Sequence, residues 1–241
     1  MEQERRWQDR VGPRLAVSTV IFALRPKPET QQPTLWLPLV ERLREPYLGH
    51  WALPGGPVGL TEGLEQAARA TLLSTTGLGP SYLEQLYAFG DPDRSPDPAP
   101  RVVTVAYWAL VREAEAAELV DDPNVRWFPT TALPNLAFDH RDIVDYALWR
   151  LRNKLGYAPI AHAFLGDTFT IAELREVYEV VLGRKLDPAN FRRQVESEGL
   201  VQPTGELVTG TRHRPARLYR YDPSVLTTTD PNPLNVPRST Q

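Results

Sequence analysis

Cysteine is absent from all 241 residues, which rules out disulfides and any metal site built on thiolates. Long apolar runs are absent as well. The longest, LAVSTVIFAL from Leu15 to Leu24, is about half of what a helix needs to cross a bilayer. The opening segment MEQERRWQDR is charged and lacks the apolar core of a signal peptide, so the expectation is a soluble, cytoplasmic chain with no membrane partner. An excess of one charge sign is missing too. A net charge of −3 with a pI near 5.9 excludes a uniformly basic coat for nucleic acid, but says nothing against a local patch. What is present is an ordinary globular composition, 41% hydrophobic and 9% aromatic, on a chain long enough for two cores.

Two β-branched apolar segments open the chain, Leu15 to Leu24 and TLWLPLVER from Thr34 to Arg42, and read as an early hairpin. GHWALPGGPVG then gathers Gly and Pro, with Thr61 as the expected cap of an Ala/Leu helix that Gly77 ends. YLEQLYAFGDP and VVTVAYWALV are further strands, joined by a Pro/Asp-rich loop, Asp91 to Pro100, that is expected to be mobile. DDPNVRWFPTTALP reads as a short strand and turn. A helix fits Asp139 to Leu155, with Ile143, Ala147, Leu148 and Leu151 on one face.

The pattern changes near residues 158–167, where a domain boundary is expected (12–157, then 158–222). Thr170 and Glu173 have capping-box spacing before a helix closed by Gly183. Asp187 and Pro188 open a second helix that stops at Gly199. LVQPTGELV and ARLYRYD follow as a strand pair, which makes a winged helix-turn-helix. The tail 223–241 has few large apolar residues and reads as disordered.

The chemistry-bearing stretch is GPVGLTEGLEQAARATLLSTTGL, Gly56 to Leu78. It resembles the Nudix signature GX5EX7REUXEEXGU, in which U is aliphatic. Gly56, Glu62, Leu72, Gly77 and Leu78 match, whereas Ala70, Thr71, Ser74 and Thr75 stand where the family has an Arg and three helix glutamates. In that family those glutamates hold the divalent metal that polarises a diphosphate and activates water. A hard cation needs several anionic oxygens, and two kinds of hydroxyl with a methyl do not supply them. The expectation is therefore no catalytic residue, no metal and no required cofactor. Glu62 and Glu65, spaced i and i+3, are either a residual metal site or negative charge at a helix N-terminus, and the second reading is preferred. Without the acids the pocket is expected to bind a diphosphate and not cut it. Gly55 and Gly56 allow close backbone approach, Arg44 or Arg101 offers a counter-charge, and Trp51 and Phe89 are candidates for stacking on adenine.

Charge is concentrated in the second half. Between Arg184 and Arg220 there are eight basic residues against four acids, so this segment carries 8 − 4 = +4 within a chain of −3. The N-terminal part of the second helix, PANFRRQ, is the part that enters a major groove in a helix-turn-helix. Asn190, Arg192, Arg193 and Gln194 are side-chain types that read bases or clamp phosphates, with Lys185 beside them. Phe191 and Val195, four apart, are expected to face the core. Arg212, His213, Arg214 and Arg217 would line the wing along the minor groove or backbone.

With GHWALPGGPV, YAFGDPDR, GRKLDPANFRR and TRHRPARLYRY together, residues 12–222 resemble the Nudix-related regulators of NAD metabolism, the NrtR-like family. The resemblance implies an α+β fold: a Nudix-like α/β/α sandwich with a mixed sheet, then a winged helix-turn-helix. It further implies a homodimeric bacterial repressor of NAD biosynthesis or salvage genes on double-stranded DNA with a palindromic operator, released by ADP-ribose as effector. The rival reading is a hydrolase of ADP-ribose or a related nucleoside diphosphate with displaced metal ligands.

Overall fold

A computed structural model of the chain describes residues 12–77, 79, 82–95, 101–112, 122–156, 158–208 and 215–222. Thirteen residues from Arg14 to Pro26 form β1, of which Val17 through Ala23 are all buried. A strand buried on both faces must be apolar at consecutive positions, and this one is covered on both sides. Val17, Ile21 and Ala23 meet Ala67, Ala68 and Leu72 of helix α1 (Leu64–Thr76), while Val20 and Phe22 belong to the cluster containing Ile143, Val144, Ala147 and Leu151 of helix α2 (His140–Leu155). Helix, sheet, helix is the resulting order of layers.

The remaining strands are β2 (Pro33–Glu41), β3 (Trp51–Ala52), β4 (Gly55–Pro57), β5 (Tyr82–Phe89), β6 (Val102–Val111) and β7 (Val125–Pro129). The sheet runs β3-β2-β1-β6-β5, with β4 paired to β1 and β7 to β2. Only the β1–β6 pair is parallel, in register from Arg14↔Val102 to Ala23↔Val111, so the sheet is mixed as expected. The C-terminal end of β1 pairs with β2 and its N-terminal end with β4, so the two partners splay and β3–β4 fill the gap. This wedge explains Gly55. A Cβ there would lie 2.5 Å from the carbonyl oxygen of Val17, which is backbone and cannot swing aside.

The second half contains α3 (Ile171–Leu182), α4 (Pro188–Glu198), β8 (Val201–Leu207) and β9 (Arg217–Tyr221). The caps expected in this half are present. Thr170 and Glu173 exchange both capping-box hydrogen bonds, Asp187 accepts from the Asn190 N–H at 2.8 Å, and Gly183 and Gly199 each close a helix at φ +67°. β8 and β9 are antiparallel, and Phe169 exchanges a backbone hydrogen-bond pair with Tyr219, which fixes the wing to the residue before the cap of α3. Phe191 and Val195 of α4 are buried, as their spacing indicates.

One hydrophobic cluster runs from Val20 through α2 and the 3-10 turn Ile160–Phe164 to Phe191 and Tyr221. α2 also touches the helix-turn-helix by a polar contact, Arg152 Nε donating to the carbonyl of Val181 at 3.2 Å. Two expectations are corrected. Thr61 is not a helix cap: α1 starts at Leu64 with Gly63 as N-cap and no side-chain cap, because the polar residue of that turn, Glu62, bonds backward to the Gly59 N–H. The described start of the Asp91–Pro100 loop is a 3-10 turn, Pro92–Arg94, whose Arg94 is buried and hydrogen-bonded; residues 96–100 and the tail 223–241 lie outside the described residues.

Gly55→Ala is expected to lower stability by roughly 1–3 kcal/mol, the usual cost of forcing atoms into a packed site, while Gly63→Ala, where the added carbon meets nothing within 4 Å, changes it far less. Urea unfolding of the two variants measures the difference.

Candidate ligand pocket and nucleic-acid interface

The Nudix-like helix is intact as a frame. Gly56 faces Thr71 across the β4–α1 contact, with its missing Cβ 3.5 Å from the Thr71 hydroxyl. The acids near the motif are committed elsewhere. Glu62 Oε1 accepts from the Gly59 N–H at 2.5 Å, Glu65 pairs with Arg69 at 2.9 Å one turn on, and the Ser74 hydroxyl donates to the Thr71 carbonyl at 3.0 Å. Among the described residues no three His, Asp or Glu side chains are grouped so as to hold a metal ion. The donor set around α1 therefore does not fit the divalent metal that the Nudix signature implies.

The sequence-based ligand residues fall into two groups. Arg44 is exposed in the loop between β2 and β3, and Trp51 opens β3, half-buried, with its ring edge-on to Phe128 at 4.9 Å and the Arg126 guanidinium 5.4 Å from its centroid. Gly55 and Gly56 follow in β4. Phe89 stands apart at the end of β5, beside Tyr87 and Tyr146 with ring centroids 5.5 and 6.2 Å away. Along the register Phe89–Thr104–Ala16–Pro57 it is three strand spacings, about 14 Å, from β4. Trp51 and Phe89 are thus not brought together on one ring. Arg101 lies with Phe89, its guanidinium donating to the Gly90 carbonyl at 2.8 Å.

Around Trp51 the structure gathers groups that sequence reading did not single out. The Arg42 guanidinium lies 4.7 Å from the Phe138 ring, and Tyr47 meets the same ring edge-on at 4.7 Å. Tyr47 and Phe138 both have positive φ, 68° and 53°, a conformation bulky residues rarely adopt. Phe138 leads directly into the start of α2. There Asp139 takes a two-bond fork from Arg94, at 2.7 Å to each oxygen, and Arg94 also reaches the Val102 carbonyl and the Thr104 hydroxyl. The next residue, His140, accepts the Leu53 N–H on Nδ1 at 2.9 Å. Burial holds the His140 imidazole neutral, with its pKa pushed down from 6.5 to about 4; Asp139 opposes that and the nearby Arg94 and Arg42 add to it.

In the winged half, α4 has a clear division of faces. With Phe191 and Val195 inward, Arg193 lies opposite them at the centre of the exposed face, flanked by Ala189 and Asn190. Arg193 and Arg217 are exposed and have no ion-pair partner among the described residues. Arg192 is held on the wing side: its Nε donates to Glu196 at 3.0 Å and an Nη to the Tyr219 hydroxyl at 3.1 Å. Gln194 donates to Glu198 at 2.8 Å on the other flank. Lys185 pairs at 2.8 Å with Glu179, a buried carboxylate that also accepts the Leu186 N–H and so shapes the turn between α3 and α4. Those two hydrogen bonds hold the Glu179 carboxyl below the usual range. Arg212, His213 and Arg214 lie outside the described residues.

A model of the Nudix domain matches residues 14–147, and a model of the NrtR DNA-binding winged helix domain matches residues 161–221. The ADPR responsive transcriptional repressor NtrR of Acinetobacter baylyi is 34% identical over 218 residues, which is 88% of this chain and 84% of that protein. The chain belongs to the NrtR family. Solved structures of Shewanella oneidensis NrtR, alone and complexed with a 27mer DNA, are 36% and 35% identical, with TM-scores of 0.75 and 0.72, each over 88% of this chain and 95% of the solved one. An ADP-ribose pyrophosphatase of Methanocaldococcus jannaschii is 34% identical over 113 residues, 46% of this chain and 66% of that protein. An α/β/α Nudix domain followed by a winged helix is the NrtR arrangement, and the folded chain has it. No helix among the described residues is long and apolar enough to cross a membrane.

The pH response follows from His140. The unfolded chain takes up a proton near pH 6.5 while the folded one resists until about pH 4, so the unfolded state binds more protons between those values. Stability is expected to fall as pH drops from 6.5 to 4, by on the order of 3 kcal/mol from this group. Denaturation midpoints across that range check the slope, and His140→Asn, which keeps an acceptor but does not titrate, should flatten it.

Proposed function

We propose that the chain is a DNA-binding transcriptional repressor whose Nudix-like domain senses ADP-ribose and does not hydrolyse it. The observation that carries the reading is the exposed face of α4: Arg193, with Asn190 beside it, on a capped helix anchored by Phe191 and Val195 and set against a wing. Similarity over nearly the whole chain to a repressor responsive to ADPR, and to NrtR complexed with DNA, supports the same reading. Its natural targets are genes of NAD synthesis or salvage, bound as a homodimer on a palindromic operator.

Signalling requires that the ligand bind two arrangements of the dimer unequally, since equal affinity shifts nothing. The ligand-side groups nearest the transmission route are Trp51, Arg42 and the strained Tyr47–Phe138 pair, because Phe138 adjoins the start of α2 and Ala137 donates to the Trp51 carbonyl at 2.8 Å. From there α2 reaches α3 through Arg152. We draw the domain boundary after residue 157, so that this helix belongs wholly to the sensing half.

Similarity to an ADP-ribose pyrophosphatase favours a second reading, a hydrolase using Glu62 and Glu65. Both carboxylates are engaged by other groups, which counts against it.

Fluorescence anisotropy on duplexes from upstream of the chain's own gene and of NAD genes, titrated with ADP-ribose with and without Mg²⁺, separates the two. Competitor-resistant binding relieved by intact ADP-ribose is expected; no selective binding, with AMP accumulating when Mg²⁺ is added, would establish the hydrolase. Arg193→Ala is expected to cost about 1–3 kcal/mol of operator affinity and to leave ADP-ribose affinity unchanged.

A further inference from the structure

A cleft of about 660 Å³ lies between the first turn of α3, the wing and the flank of α4. Two guanidinium groups from different elements line it, Arg192 of α4 and Arg217 of β9, together with Tyr219. The position of Arg192 is built. Besides its own bonds to Glu196 and Tyr219, the Tyr219 hydroxyl donates to the same Glu196 oxygen at 3.2 Å, which closes a three-membered ring of hydrogen bonds. Tyr219 is itself buried and bonded through its backbone to Phe169, so the ring is referenced to the wing sheet and not to solvent.

This geometry separates two tasks. A guanidinium that reads guanine lays two donors on O6 and N7 and must extend straight into the groove. Arg192 has two of its three nitrogens engaged sideways, about a quarter-turn of helix away from Arg193, so extending it would break both bonds. Arg192 nonetheless lines the cleft, where Arg217 adds a second cation. Glu196 pairs with Arg192, which leaves Arg217 as the cation of the cleft without an ion-pair partner among the described residues, suited to a single phosphodiester. The cleft also lies to the wing side of the exposed α4 face, where the DNA backbone passes when that face is in a groove.

We propose, on the reading that the chain binds DNA, that this cleft receives one backbone phosphate, with Arg217 as direct contact and Arg192 as the positioning residue, while base reading falls to Arg193. Arg192 and Arg217 then govern affinity for any duplex, and Arg193 governs the choice among duplexes.

The test uses the full chain and a duplex that it selects from a randomised library, with a scrambled duplex as control. Arg192→Ala and Arg217→Ala are expected to weaken both duplexes by the same factor, roughly tenfold near physiological salt, and each to lower the slope of log K against log salt by about 1.8, one phosphate being lost in each of the two half-sites. A neutral methylphosphonate at one backbone position per half-site should weaken the wild type and have no further effect on Arg217→Ala. Tyr219→Phe, which keeps the ring and removes the hydroxyl, should show a smaller uniform loss at an unchanged melting temperature. Arg193→Ala should weaken only the selected duplex. Loss of selectivity in Arg192→Ala with the salt slope unchanged would overturn the proposal and make Arg192 a base reader. A wild-type chain that selects no duplex overturns the DNA-binding reading itself and the cleft with it.

Discussion

Helix α2 is held at its N-terminal end by buried polar contacts to the sheet. Arg94 is almost wholly buried, and a buried guanidinium is tolerable only where its donors are met. Asp139 meets two of them, and the Val102 carbonyl and Thr104 hydroxyl take up another nitrogen. One residue on, His140 is kept neutral by burial and so can accept the Leu53 N–H. The helix start is thereby tied to β6 and to the segment linking β3 and β4. At its far end Lys154 and Arg150 pair with Glu84 of β5, and Arg152 reaches α3. It is a strut fixed to the sheet along its length and to the helix-turn-helix at its end, alongside the packing of α3 against β2.

The Nudix frame is held by packing to which the signature's acidic positions do not contribute. The wedge of β3 and β4 between β1 and β2 needs Gly55 for close packing, and α1 needs Ala67, Ala68 and Leu72 for the sheet. None of these depends on the acids that bind metal. Thr71 and Ser74 sit on the helix without disturbing it, and the remaining carboxylates have found local partners.

In the winged half the net charge matters less than how each cation is spent. Lys185 is tied to a buried carboxylate that organises a turn, and Arg192 is tied to the wing. Arg193 and Arg217 are left uncommitted among the described residues. Basic residues so close in sequence are thus not equivalent in the folded chain, because some of them hold the scaffold together.

Local features were legible in the sequence because they depend on neighbours. The caps at Thr170 and Asp187, the αL glycines 77, 183 and 199, the strand segments and the inward faces of α2 and α4 all follow from spacings of three or four residues or from β-branched runs. The departures from the Nudix signature at Ala70, Thr71, Ser74 and Thr75 were legible too, since a motif is a fixed spacing. Only the tertiary structure decided which residues meet. Thr61 failed as a cap because Glu62 turned back to Gly59, and Arg94, assigned to a mobile loop, became buried by meeting Asp139 forty-five positions away. Trp51 and Phe89 share an aromatic character but not a place, since strand order separates them. The pairing of Arg192 with Glu196 lay within one helical turn, whereas Tyr219 enters from another element. Long-range pairing depends on how strands are ordered and helices docked, and those are properties of the packed chain as a whole.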